Sequence, residues 1–270
     1  GWAAYLSVGA DRNTISLSTM TSDAAAYSAL YINNSDTNTV TTSYLASSVG
    51  DAAYLINGAD DNVISLSTII SDGVGKYGIY LSGSSTNTVT GSSVRALSGT
   101  GVDFDSHSNY NTISLSTLTV TTVRALHITA GSSRNTVTGS YLQATTGIAA
   151  LITNGAGFNT IAQSTTANNG SWNVLIQNAL SNMVAGSMLR NASGAALRYD
   201  SNASANSVSL STLVSLGGNA VYVNNSSSLT IADSYVESQA GDAIALTAYS
   251  TNTLINRSTV RRMPTSSSPN

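Results

Sequence analysis

Cysteine is absent from this 270-residue chain, and charged side chains make up only 9% of it. Without cysteine, neither a disulfide framework nor a thiolate metal site can form. Lys and Arg together number ten, and the net charge is −3. That balance argues against a nucleic-acid or anionic-membrane partner, which needs massed positive charge. No run of about 18 apolar residues occurs, so no segment reads as a membrane-spanning helix. No signal peptide is visible either, and the first residue is Gly1 rather than Met, as expected of a processed chain or a fragment. The chain is nonetheless no disordered polymer. Its residues are 41% apolar and its net charge is small, so it has enough apolar surface to build a core.

What fills the sequence is repetition. "NTISLST" begins at Asn13 and again at Asn111, with "NVISLST" at Asn62 between them. "NTVTTSY" at Asn38, "NTVTGSS" at Asn87 and "NTVTGSY" at Asn135 interleave with these. The series runs on through Asn159, Asn182 and Asn206, then fades through Leu229, which takes the Asn slot, to Asn252. The spacing is 23 to 25 residues throughout, and Asn13, Asn62 and Asn111 are each 49 apart, which points to duplication of a two-coil unit.

A period near 24 would also suit a leucine-rich repeat, so the pattern inside each repeat decides. Apolar and small polar residues alternate at period two, rich in Thr, Val, Ile and Tyr, and no helical spacing occurs. Clusters such as "NNSD", "NGADD" and "SGSST" supply turns. Two residues after each Asn lies an aliphatic ladder from Ile15 and Val40 to Ile231 and Leu254, and five residues after it stands Ser in ten of eleven repeats. A further strand precedes each Asn, as in "ALYIN" and "GIYLS". The expectation is an all-β, right-handed parallel β-helix over residues 1–263, about eleven coils with three parallel sheets, followed by a tail at 264–270. A coil cannot bury its own apolar face, so stability must come from stacking. The Asn and Ser repeats suit inward ladders that hold the turns from coil to coil.

The strings "GIYLSGSSTNTVTGSSV" and "AVYVNNSSSLTIADSYV" resemble the parallel β-helix repeat of the carbohydrate-binding and sugar-hydrolase superfamily, with its pectate-lyase-like fold. The likeness spans nearly the whole chain. It implies an extracellular, cell-surface or periplasmic location, and it leaves function open among lyases, epimerases, hydrolases, adhesins and spacers.

Chemistry in such a rod would sit on an outward strand face. The outward positions before each Asn are expected at Tyr31, Leu55, Tyr80, Asp103, His127, Leu151, Leu175, Arg198, Tyr222 and Ala245. A second outward row includes Asn33, Asn57, Ser82 and Asp105. Placing Asp103 outward requires a one-residue slip that turns Val102 and Phe104 inward. Asp103, Asp105 and His127, with Arg124 just upstream, form the one acid–histidine cluster, suited to acid–base work on a sugar. The bland alternative is a solvated polar strip with a weak cross-strand pair. Tyr31, Tyr80 and Tyr222 are candidate glycan-stacking residues. On another face, Thr14/Ser16, Thr39/Thr41, Thr88/Thr90 and their successors form a Thr-x-Ser/Thr array that resembles β-solenoid ice-binding surfaces, broken at Val63, Ala162, Met183 and Ala185. No cofactor and no metal are expected.

The absence of long insertions counts against a deep cleft. The leading expectation is therefore a structural or adhesive segment of a larger secreted or surface protein, able to contact glycans. A polysaccharide lyase, epimerase or hydrolase is the alternative, and ice binding a minor one. The first strand, with Ala4 and Leu6 inward, reads as an open edge that stacks on a preceding coil or a second copy. Pro264 would stop pairing at the other end.

Overall fold

The computed structural model describes residues 1–24 and 27–263, so the proposed tail at 264–270, with Pro264, lies outside the described residues. Thirty-three strands run from β1 (Ala4–Ser7), β2 (Thr14–Ser16) and β3 (Thr19–Ser22) to β33 (Thr259–Arg262), three to each coil. They assemble into three parallel sheets of eleven strands, here sheets A, B and C in coil order, and every strand but the first and last of each sheet pairs with its equivalents in the coils before and after. At about 4.8 Å per coil the rod is about 50 Å long.

The core is a column of side chains that each coil repeats. Val40, Ile64, Val89, Ile113, Val137 and Ile161 stack in sheet B, and Leu45, Ile69, Val94, Leu118 and Leu142 stack in sheet C, all buried. Each gains its burial from the coil above and below, which is why an isolated coil could not fold.

Two side-chain ladders hold the corners. The backbone N–H of Asn13 donates to Oδ1 of Asn38, Asn38 to Asn62, and so on to Asn206, at 2.7–2.9 Å. Meanwhile the amides of Asn62, Asn111, Asn135, Asn159 and Asn206 donate to carbonyls of the preceding A–B turn. Likewise each N–H from Ser18 to Ser234 donates to the next coil's Ser Oγ, whose hydroxyl donates to the carbonyl two residues before it. These contacts satisfy backbone groups that the tight corners would otherwise leave unpaired in the interior. A third ladder runs the other way along the A–B turn: Asp36 N–H donates to Asp11, Asp60 to Asp36, and Ser85 to Asp60, at 2.7–2.9 Å.

Between sheets B and C the chain turns through one left-handed residue per coil. Leu17, Leu66, Leu115 and Leu210 occupy that place in four coils, with φ of 49–51° and side chains in solvent.

Two placements differ from the sequence reading. On the third coil the outward residue of sheet A is Tyr54, in register with Tyr31 and Tyr80, while Leu55 is buried between Ile32 and Leu81. Ile56, not Asn57, continues the row of Asn33 and Ser82. The cause is one extra residue in that A–B turn, accommodated by Asn57 and Gly58, both left-handed at φ 55° and 76°. On the last coil the rung opposite Ile231 is Ile255 rather than Leu254, and Ser258 continues the Ser ladder.

Candidate functional site

The outward face of sheet A carries the clustered chemistry. β10 (Tyr77–Ser82), β13 (Thr100–Asp105) and β16 (Arg124–Ile128) set Tyr80, Asp103 and His127 directly beside one another. The slip expected at Asp103 is present, with Val102 and Phe104 buried in the core.

Asp103 Oδ2 lies 2.9 Å from His127 Nδ1. Although it faces outward, Asp103 is only 3% exposed, and its Oδ1 is buried without a protein partner. Burial pushes its carboxyl above the ordinary range, opposed by the hydrogen bond and charge of His127. One row along, the Tyr80 hydroxyl donates to Asp105 Oδ2 at 2.6 Å, and Ser106 N–H donates to Asp105 Oδ1 at 2.7 Å. Burial, then the bond to Asp105, pushes the Tyr80 hydroxyl well above the ordinary phenol range. The sheet therefore joins two proton-sharing pairs, carboxyl with imidazole and phenol with carboxylate.

Arg124 stands at the start of β16, opposite Thr100 and Ile148, a few residues from the two pairs. It lines an open groove of about 280 Å³ with Thr146, Gly147, Ile148, Ser171 and Trp172 on the C–A side of the sheet. Two residues escaped the sequence reading. Asp51 accepts the Tyr77 N–H at 2.9 Å, and burial raises its carboxyl. Tyr77 stacks on Tyr80 with centroids 4.6 Å apart. Neither had a sequence signal, because the bond joins backbone and side chain across 26 residues.

The tyrosines form one continuous stack. Trp2, Tyr5, Tyr31, Tyr54 and Tyr80 follow one another at centroid separations of 4.6, 5.4, 5.5 and 5.0 Å. Neighbouring rings thus cover much of the faces of Tyr31 and Tyr80, leaving edges and hydroxyls as the parts turned outward. Tyr222 is packed similarly: the Arg198 guanidinium lies 4.9 Å from its centroid and 4.8 Å from that of Trp172, and is held by Asp200 at 2.6 Å.

Among the described residues no group of three or more His, Cys, Asp or Glu is placed to hold a metal ion. No helix is long and apolar enough to cross a membrane.

The family described as right handed beta helix region matches residues 3–142, and the chain belongs to it, with the pectate-lyase-like form of that fold. No curated protein matches the chain. Among solved structures, the periplasmic alginate epimerase AlgG is similar with a TM-score of 0.70 at 11% identity, covering 94% of this chain and 74% of its own. The A-module of the Azotobacter vinelandii mannuronan C-5 epimerase AlgE4 gives 0.64 at 9% identity, covering 93% and 88%. A mutant tailspike protein of E. coli bacteriophage HK620, in complex with a pentasaccharide, gives 0.53 at 9% identity, covering 86% and 56%. At these identities the likeness is one of fold.

Proposed function

We propose that the chain is a glycan-contacting β-helix segment of a larger secreted or cell-surface protein, and that the contact surface is the outward face of sheet A from Tyr77 to His127. The observation that carries this reading is the side-by-side placement of Tyr80, Asp103, Asp105 and His127 on one flat face, next to a groove lined by Arg124 and Trp172. Hydroxyl, carboxylate, imidazole and guanidinium groups on a rigid sheet suit the many hydroxyls of a sugar chain. The fold neighbours named for alginate epimerisation and for a bound pentasaccharide support a carbohydrate reading in kind. A glycan-array screen on the purified chain, repeated with Asp105→Ala, is the test. Binding should appear with the native chain and weaken at least about tenfold in the variant, or about 1.4 kcal/mol. An array with no signal, or one unchanged by Asp105→Ala, defeats the proposal.

A second reading, catalysis at the same place, is favoured by the buried Asp103–His127 pair, since a carboxyl with a raised pKa beside an imidazole suits acid–base work. A polysaccharide lyase, epimerase or hydrolase would then be the activity. A product-release assay separates the two readings: turnover by the native chain that disappears in Asp103→Asn establishes catalysis, and binding without turnover leaves the contact role alone.

The unpaired edge of β1, β2 and β3 is proposed to pair with a neighbouring coil or a second copy. Sedimentation at rising concentration should show association; a strict monomer at high concentration would remove that part.

A further inference from the structure

Away from sheet A, the left-handed residue that precedes the Asn ladder in each coil is mostly small or polar, as at Thr37, Asp61, Thr86, Ser181, Ala205 and Ser228, with Arg12 a large cation in the first coil but without flanking rings. Three consecutive coils depart from this, with Tyr110, Arg134 and Phe158 at φ of 57°, 58° and 59°. Tyr110 is 54% exposed and Phe158 59% exposed. The Arg134 guanidinium lies between them, 5.6 Å from one ring centroid and 5.5 Å from the other. Among the described residues Arg134, like Arg12, Arg124 and Arg190, has neither an ion pair nor a side-chain hydrogen bond, whereas Arg95, Arg198 and Arg257 each hold an aspartate; what sets Arg134 apart is the pair of rings that flank it.

Folding does not require this arrangement. A bulky side chain in the left-handed region costs about 1 kcal/mol, and two exposed rings gain no core burial. The equivalent coils show that serine or threonine serves the turn. What the triplet does supply is a planar cation fixed between two rings, its N–H edge open to solvent. Stacking restrains the guanidinium, so less freedom is lost when it pairs with an anion. The aspartates of the same turn, Asp60 and Asp61, lie three coils away, about 14 Å, so an anion at Arg134 is largely screened from them.

We propose that the Tyr110–Arg134–Phe158 triplet is a second contact site, separate from the sheet A face, for a polysaccharide bearing carboxylate or sulfate groups. The guanidinium pairs with the acid group while C–H faces of the sugar pack on the ring edges. Charge complementarity and the open aromatic flanks select this partner. A single cation in an acidic chain does not suit nucleic acid, whose binding rests on many phosphate contacts.

Affinity electrophoresis in gels containing dextran sulfate, carboxymethyl dextran or plain dextran tests the site. The native chain should be retarded by one or both of the charged polymers and pass through plain dextran unchanged. The two charged gels show whether sulfate or carboxylate is the preferred group. Arg134→Gln should weaken the retardation at least about tenfold, and Arg134→Lys should fall between the two because it keeps charge without the stacked plane. Tyr110→Ser with Phe158→Ser, both acceptable to this turn, should weaken it as well. Asp105→Ala should leave it intact, so failure of the sheet A reading is distinguishable from failure here. Retardation unchanged by Arg134→Gln, lost in Asp105→Ala, absent in both charged gels, or matched by equal affinity for a DNA duplex would overturn the proposal.

Discussion

Asp103 and His127 face each other across adjacent strands with 2.9 Å between Oδ2 and Nδ1, both largely withdrawn from water at 5% and 12% side-chain exposure. Such a pair is a poor source of net stability but costly to break, since either partner alone leaves a buried polar group unmatched. His127→Ala should therefore destabilise the rod by up to about 3 kcal/mol, read from denaturant unfolding. A loss below about 0.5 kcal/mol would mean that the pair is effectively solvated.

The same burial sets a pH dependence. Asp103's folded pKa is raised above its unfolded value, mainly by desolvation. Its contribution to stability is therefore fully present below the ordinary carboxylate range and is lost as pH rises through the raised folded value. Asp103→Asn should flatten the unfolding midpoint across that rise, measured by urea titration at successive pH values. Parallel curves for the two proteins would assign the dependence to other groups.

Asn135 serves three partners: it accepts the Asn111 N–H at 2.7 Å and donates to the Ser108 carbonyl at 2.9 Å and to Asn159 Oδ1 at 3.0 Å. Asn135→Ala strands a buried donor and a buried acceptor, for an expected loss of about 3 kcal/mol. Asn13→Ala, at the exposed first coil, should cost less than about 1 kcal/mol. Equal losses at the two positions would show that water, and not the ladder, satisfies these groups.

Leu66 combines φ 49° with a side chain 66% exposed. Leu66→Asn should raise stability by about 0.5–1 kcal/mol, because Asn tolerates the left-handed region. A Cβ on Gly91 would lie 3.0 Å from Leu66 Cδ2, at a position whose own φ is 57°. Gly91→Ala should thus cost about 1–2 kcal/mol, and less when combined with Leu66→Asn. Strict additivity would deny the contact.

Most of the architecture was legible because each coil imposes the same demands on the same few positions. Asn135 and Ser140 look like their neighbours since the corner they close is the same corner. The failures came where one residue was added. Leu55 looked outward by its distance from Asn62, yet the extra residue at Asn57–Gly58 returns the strand to register and puts Tyr54 in the stack. Leu55→Ala should accordingly cost about 2–5 kcal/mol, as a buried aliphatic does, whereas Tyr54→Ala should cost about 1–3 through its two ring contacts. At the candidate site, sequence spacing was enough to bring Asp103, Asp105 and His127 together. Asp51 and the Arg134 sandwich were hidden, because both arise from contacts between coils and not from any motif within one.

In the first four coils the Asn ladder and the aspartate ladder of the A–B turn point in opposite senses along the rod. Asn38 receives the N–H of the coil before it, while Asp36 receives that of the coil after. Under load, peeling a coil from either end of the first few turns must break a ladder bond along with the sheet bonds. Separating any two neighbouring coils among those four therefore breaks ladder bonds of both senses together, in addition to the sheet bonds, whichever end is pulled.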